Sequence, residues 1–152
     1  MEQSEKIIIY QVFTRLFGNE EVRNAYNGSL QENGCGKMAG FTNQALNEIK
    51  KLGATHIWYT VIAHASQTDY SAYNIPRNHP AVIKGKAGSP YAIRDYYDID
   101  PDLAVDVNRR MEEFELLVKR SHDNGLKVII DFVPNHVARQ YHSYAKPDGV
   151  KD

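Results

Sequence analysis

The chain has 152 residues, 42% hydrophobic and 24% charged, with a formal net charge of −1, the profile of one ordinary soluble globular domain spanning residues 1–152. That balance leaves no electrostatic footprint for nucleic acid or an anionic membrane, no apolar run approaches the roughly 20 residues of a membrane span, and no secretory signal is visible behind residues 1–6, which suits a cytoplasmic protein or an exported one without its leader. The single cysteine, Cys35, lies between Gly34 and Gly36, so an intramolecular disulfide framework is excluded and the residue reads as an inert loop thiol.

Residues 7–13, Ile-Ile-Ile-Tyr-Gln-Val-Phe, form a β-branched and aromatic run, the profile of a strand buried on both faces. Residues 17–40 follow as a loop rich in Asn and Gly. A helix is predicted next, with Thr42 as N-cap and Phe41 and Leu46 at the spacing of a hydrophobic staple. Leu46, Ile49 and Leu52 make its buried stripe and Gly53 ends it. Residues 55–60, Thr-His-Ile-Trp-Tyr-Thr, resume as a second strand. Residues 61–108 then form a long stretch containing Pro76, Pro80, Pro90 and Pro101, and a loop of that length in a compact domain is usually functional. Within it, Lys84-Gly85-Lys86 reads as a solvated loop. Asp98, Asp100, Asp102 and Asp106 lack the glycine and terminal glutamate of an EF-hand and are expected to face solvent. Residues 109–124 restore a helical pattern, with Met111, Phe114, Leu117 and Val118 on one face and Glu112, Glu113 and Glu115 on the solvated side. Asn124-Gly125 closes it, and residues 126–133 form a third strand. A polar tail follows, with a turn at Pro147-Asp148-Gly149.

Strand–helix–strand–helix–strand spacing implies parallel pairing with right-handed crossovers, an α/β class. Three strands close neither a barrel nor a doubly wound sheet. The third strand leaves a bare outer edge, which makes self-association through the open sheet edge an expected partner mode.

The run Val128-Ile129-Ile130-Asp131-Phe132-Val133-Pro134-Asn135-His136 carries the chemistry. It reads as a buried strand ending at a proline, with an acid, an amide and an imidazole around its C-terminal end, where α/β barrels build their sites. A carboxylate there needs a partner, because an unpaired buried charge costs several kcal/mol. The bare pattern fits equally a structural Asp131 tied to backbone donors. Ten tyrosines against five phenylalanines and one tryptophan offer flat faces with polar rims, which suit sugar rings and ordinary surfaces alike.

Four segments in order resemble the α-amylase family of glycoside hydrolases. Ile9-Tyr10-Gln11-Val12-Phe13 is similar to its first barrel strand, and residues 53–62, Gly-Ala-Thr-His-Ile-Trp-Tyr-Thr-Val-Ile, to its second, usually G-x-T-x-I-W-x-T-P-I. Ser89-Pro90-Tyr91 through Tyr97 resembles the tyrosine-bearing loop, and Asp131 to His136 matches the D-x-x-x-N-H region on the third strand. The resemblance covers residues 7–136 and implies the first three βα units of a TIM (β/α)8 barrel, incomplete in this chain. It implies that Asp131 is a supporting acid that orients an arginine on the next strand. Asn135 would give its side-chain oxygen to a structural calcium, His136 would bond the sugar beside the scissile linkage, and Tyr91 would stack on that ring. His64 would be a further substrate-facing residue. The implied substrate is an α-glucan oligosaccharide. Val61 departs from the family's usual proline, and Pro90 stands where glycine is commoner.

Retaining hydrolysis needs two carboxylates roughly 5–5.5 Å apart. In this family they come from the fourth and fifth strands, with a further Asp on the seventh, so a chain of three strands is expected to be inactive alone. The alternative is a non-catalytic partial barrel that binds sugar or a second copy. No glycine-rich phosphate loop opens a helix, which disfavours a phosphate-handling barrel enzyme.

Overall fold

The computed structural model describes residues 6–65, 68–83 and 85–151. Strands β1 (Ile9–Phe13), β2 (His56–Thr60) and β5 (Lys127–Ile130) form a parallel sheet in the order β1-β2-β5. The expected three strands are therefore present and adjacent. The register sets Tyr10 beside Ile57 and Val12 beside Tyr59, with Ile57 beside Val128. Because side chains alternate across a strand, these residues share one face. That face packs on α2 (Asn43–Lys51) and α3 (Arg110–Asp123), with Ile57, Tyr59, Leu46 and Leu117 all at 0% exposure.

Helix α2 begins as its sequence dictates. The Thr42 hydroxyl accepts from the Ala45 N–H at 3.2 Å, and Phe41 and Leu46 are both buried. Leu52 is a correction to the predicted stripe: it lies past the last helical residue and is 72% exposed. Gly53 turns the chain at φ +89°, a conformation that only glycine adopts at no cost. Arg120 on α3 donates to the carbonyls of Phe41 and Met38 at 2.6 and 2.9 Å, tying the two helical layers together. The buried Tyr59 hydroxyl bonds Ser121 Oγ at 2.7 Å, and Ser121 in turn donates to the Leu117 carbonyl. Phe17 stacks on Phe41 with centroids 4.1 Å apart, which orders the start of a segment that carried no periodic pattern. That segment contains the short helix α1 (Leu30–Asn33), whose start is held by Glu32 accepting from the Ser29 N–H and hydroxyl, and a 3-10 turn at Met38–Gly40.

The first strand is not buried on both faces. Ile9 is 49% exposed and Gln11 is exposed, because the odd positions point away from the helices. The long stretch after β2 is also more ordered than its prolines suggested. Strand β3 (Ala63–His64) pairs antiparallel with β4 (Asp95–Ile99) across an irregular register.

The aspartates beyond β4 overturn the solvent-facing expectation. Asp98, Asp100 and Asp102 are 6%, 2% and 0% exposed, while Asp106 alone of the four is open. Asp98 receives Arg110 Nε at 2.6 Å and His64 Nδ1 at 3.0 Å. Asp102 receives Arg15 at 2.7 Å and the Tyr70 hydroxyl at 2.6 Å, while its carbonyl accepts Lys37 Nζ at 2.5 Å. Asp100 caps a helical turn by accepting from the Asp102 N–H, and its other oxygen accepts from Ala65 N–H. Glu113 likewise leaves the predicted solvated face to accept the N–H groups of Val105 and Asp106.

Burial, and next the charge of Asp102, push the Asp100 carboxyl up to about 6 from 3.8. Burial would also raise Asp98, but the bonds from His64 and Arg110 outweigh it and hold it below its usual value. A raised folded-state value means that the fold favours protonated Asp100. Its contribution to stability is complete below the unfolded value and is lost as pH rises through about 6. Urea midpoints of the wild type should fall across that window, whereas Asp100→Asn, less stable at acid pH through one lost acceptor, should hold its value across it. An equal fall in the variant would assign the titration to another group.

Candidate active site at the end of the parallel sheet

The C-terminal end of β5 delivers Asp131 onto the face of the sheet opposite the helices, in phase with Ile129 and, across the register, Trp58. There Trp58 Nε1 donates to Asp131 Oδ1 at 2.7 Å and the Val61 N–H donates to Oδ2 at 2.9 Å. Both carboxylate oxygens are thus occupied.

Val61 sits at φ +63°, left-handed backbone that a β-branched residue adopts only under constraint. The cost is about 1–3 kcal/mol, and the charge-assisted bond to Asp131 is of similar size. Proline, whose φ is fixed near −65°, cannot take this conformation, nor can it donate to Asp131. The departure from the family pattern at Val61 therefore accompanies a different turn at the exit of β2.

Beyond Asp131 the chain builds a cleft of about 520 Å³ lined by Asn135, His136, Tyr97, Phe132 and Tyr141, among others. Asn135 and His136 come together as expected, with Asn135 Oδ1 and His136 Nδ1 3.0 Å apart and both residues exposed. The aromatic side of the cleft was not predicted. Tyr96 packs against Phe132 and Tyr141 at centroid distances of 5.7 and 5.9 Å, and its hydroxyl donates to the Val133 carbonyl. The available clue was Phe132, an aromatic residue directly after Asp131; the third strand stops short of it, at Ile130, and leaves it 75% exposed.

Two expected residues lie elsewhere. Tyr91 is 44% exposed and is not part of this cleft. His64 is 2% exposed and turned to Asp98, so the structure gives it no face toward a sugar. For calcium, Asn135 offers one oxygen already engaged by His136, against the six to eight that the ion takes. No cluster of three or more His, Cys, Asp or Glu side chains that could hold a metal occurs among the described residues. The residues described do not fit a calcium site on their own. Cys35 is half-buried, and burial raises its thiol to about 11, which agrees with an inert role. No described helix is long and apolar enough to cross a membrane.

Parallel strands backed by helices, with polar residues gathered at the C-terminal end of an outer strand, define the class as an α/β-barrel type of catalytic domain. The chain belongs to the α-amylase family of glycoside hydrolases, whose model, described as the alpha amylase catalytic domain, matches residues 11–151. It is similar to Alpha-amylase 2 of Dictyoglomus thermophilum, with 30% identity over 135 residues, 89% of this chain and 19% of that protein. It is also similar to an amino acid transporter heavy chain of Mus musculus, at 29% identity over 88% of this chain and 14% of that one. Among solved structures, the maltogenic alpha-amylase AmyB of Thermotoga neapolitana superposes with a TM-score of 0.56 at 29% identity, covering 89% of this chain and 25% of that one. The chain spans less than a fifth of the length of these two curated relatives.

Two substitutions check the Asp131 anchor. Asp131→Asn leaves one N–H facing an amide NH₂, so stability should drop by about 1–3 kcal/mol, and emission of Trp58, the one tryptophan, should shift to the red. Val61→Pro should cost about 3 kcal/mol in chemical denaturation, through the lost bond and an unattainable φ. A neutral outcome for either would mean that the exit of β2 is held by something else.

Proposed function

We propose that this chain forms the N-terminal three βα units of an eight-stranded barrel that hydrolyses α-glucans such as starch and maltooligosaccharides with retention. The observation that carries the reading is the family match across residues 11–151, joined to the Asp131–Asn135–His136 run at a strand's C-terminal end. The names of the similar Alpha-amylase 2 and maltogenic alpha-amylase support the substrate class.

In this reading Asp131 supports the site and does not attack, since both its oxygens are already bonded. His136 Nε2 accepts from a sugar hydroxyl in the aromatic cleft, its Nδ1–H being held by Asn135 Oδ1, and Tyr91, exposed outside that cleft, stacks on a ring. His64 positions Asp98 and does not touch substrate. A calcium ion at Asn135 would need oxygens from beyond the described set. The nucleophile and the acid/base come from strands that follow, so the 152-residue chain alone does not turn over.

A second reading has one observation in its favour: the similar heavy chain of an amino acid transporter carries no enzyme's name. Here the partial barrel is a binding or self-associating module. The edge and end of β5 would be its contact surface, with Ile130 48% and Phe132 75% exposed.

Release of reducing ends from maltoheptaose tests the first reading, and sedimentation separates it from the second. The chain alone should give none, and turnover abolished by Asp131→Ala would overturn the assignment of the reacting carboxylates to other strands. Placed in the complete barrel, His136→Ala should lower kcat/KM about 3- to 10-fold, the range of one neutral hydrogen bond. If instead the chain sediments as a tight oligomer dispersed by Ile130→Lys, the module reading gains.

A further inference from the structure

We propose that a second cavity, between the stretch at residues 78–92 and the chain just past His136, binds a small carboxylic acid with an apolar body. It measures about 470 Å³, within the range of small-ligand sites. Among the described residues, Val137 alone lines both this cavity and the His136 cleft. The proposal goes beyond the α-glucan reading and does not rest on it.

Val82, Ile83, Ala92, Val137 and Ala138 give the cavity aliphatic walls, which favour a ligand that brings methylene or aromatic carbon out of water. Two hydrogen bonds fix these walls. The Ala138 N–H donates to the Ile93 carbonyl at 2.9 Å, and the His79 N–H donates to the Gln140 side-chain oxygen at 2.7 Å. The second bond ties the residue after Asn78 to the residue after Arg139. It therefore holds together the segments that carry the cavity's amide and its cation.

Asn78 is 5% exposed, and its amide makes no hydrogen bond among the described residues. Buried polar groups are almost always paired, because an unmade bond costs the group its hydration with no return. This amide lines the cavity, where its NH₂ donor and its oxygen acceptor are open to a ligand's head group.

Arg139 sets the sign of that head group. It is exposed and forms no ion pair among the described residues, and the described lining contains no acid. The cavity is thus locally positive in a chain whose net charge is −1, which concentrates an anion there. A guanidinium forks to a carboxylate in one plane, and one cation balances one such group. A single cation and an open amide above aliphatic walls fit a monoanionic head on an apolar body.

The test titrates the chain with hexanoate, followed by amide NMR shifts, with acetate and hexan-1-ol for comparison. Hexanoate should shift residues 82–83, 92 and 137–139. It should bind about tenfold or more tightly than acetate, which lacks the body, or hexan-1-ol, which lacks the charge. Its affinity should fall as salt is raised. Arg139→Gln, at an exposed position, should weaken hexanoate about tenfold with an unchanged thermal midpoint. Asn78→Leu, of similar volume, should also weaken it without lowering the midpoint of the ligand-free chain, because no hydrogen bond is lost. A lowered midpoint in that variant would make the amide structural. That result, absence of hexanoate binding, shifts confined to other residues, or equal binding of acetate or hexan-1-ol would each overturn the proposal.

Discussion

A carboxylate at the end of one strand, satisfied by two N–H groups from its neighbour, is the contact on which the arrangement of this domain depends. Asp131 reaches from β5 to the Trp58 indole and the Val61 backbone of the β2 exit. One bond orients the only indole on the sheet's open face. The other compensates the left-handed turn at Val61, and the two energies are of the same order. That turn sends the chain into the antiparallel β3–β4 excursion, which carries His64 and the buried aspartates inward. Breaking the contact would release the turn and uncouple the excursion from the sheet.

The sheet divides its labour by parity. Even positions of β1 and odd positions of β2 build the apolar layer beneath α2 and α3, where Ile57 and Tyr59 have no exposure. The opposite parity carries Gln11, Trp58 and Asp131. Functional groups therefore occupy a face that contributes little to the apolar core, so substitutions there can change chemistry without opening cavities.

Much of this was legible because it is local. Apolar runs marked the three parallel strands, Thr42 and Gly53 marked the limits of α2, and the D-x-x-x-N-H spacing set Asn135 beside His136. What escaped is what depends on distant partners. Asp98, Asp100 and Asp102 read as solvated because their run lacks the glycine and terminal glutamate of an EF-hand, and no other use for them shows in the local sequence. Their partners, Arg110, His64, Arg15 and Tyr70, lie on other segments. His64 looked substrate-facing from its place after β2, but Asp98 turns it inward. The aromatic wall of the His136 cleft was equally hidden, because Tyr96, Phe132 and Tyr141 come from three separate stretches of chain. Leu52 shows the converse error: the periodic pattern continued one residue past the helix that gave it meaning.

Asp102 also bears on how distant segments of the chain are fastened together. Its partners Tyr70, Thr68, Lys37 and Arg15 are 32, 34, 65 and 87 residues away in sequence. Each bond closes a long loop, and closure entropy is spent before the bond returns any energy. The strand pairings of the parallel sheet are as distant, Ile9 with His56 and His56 with Lys127, so hub and sheet bridge comparable lengths of chain. One buried acid therefore fastens the segments at Arg15, at Lys37 and at residues 68–70 to the turn after β4, and its loss would free all three at once.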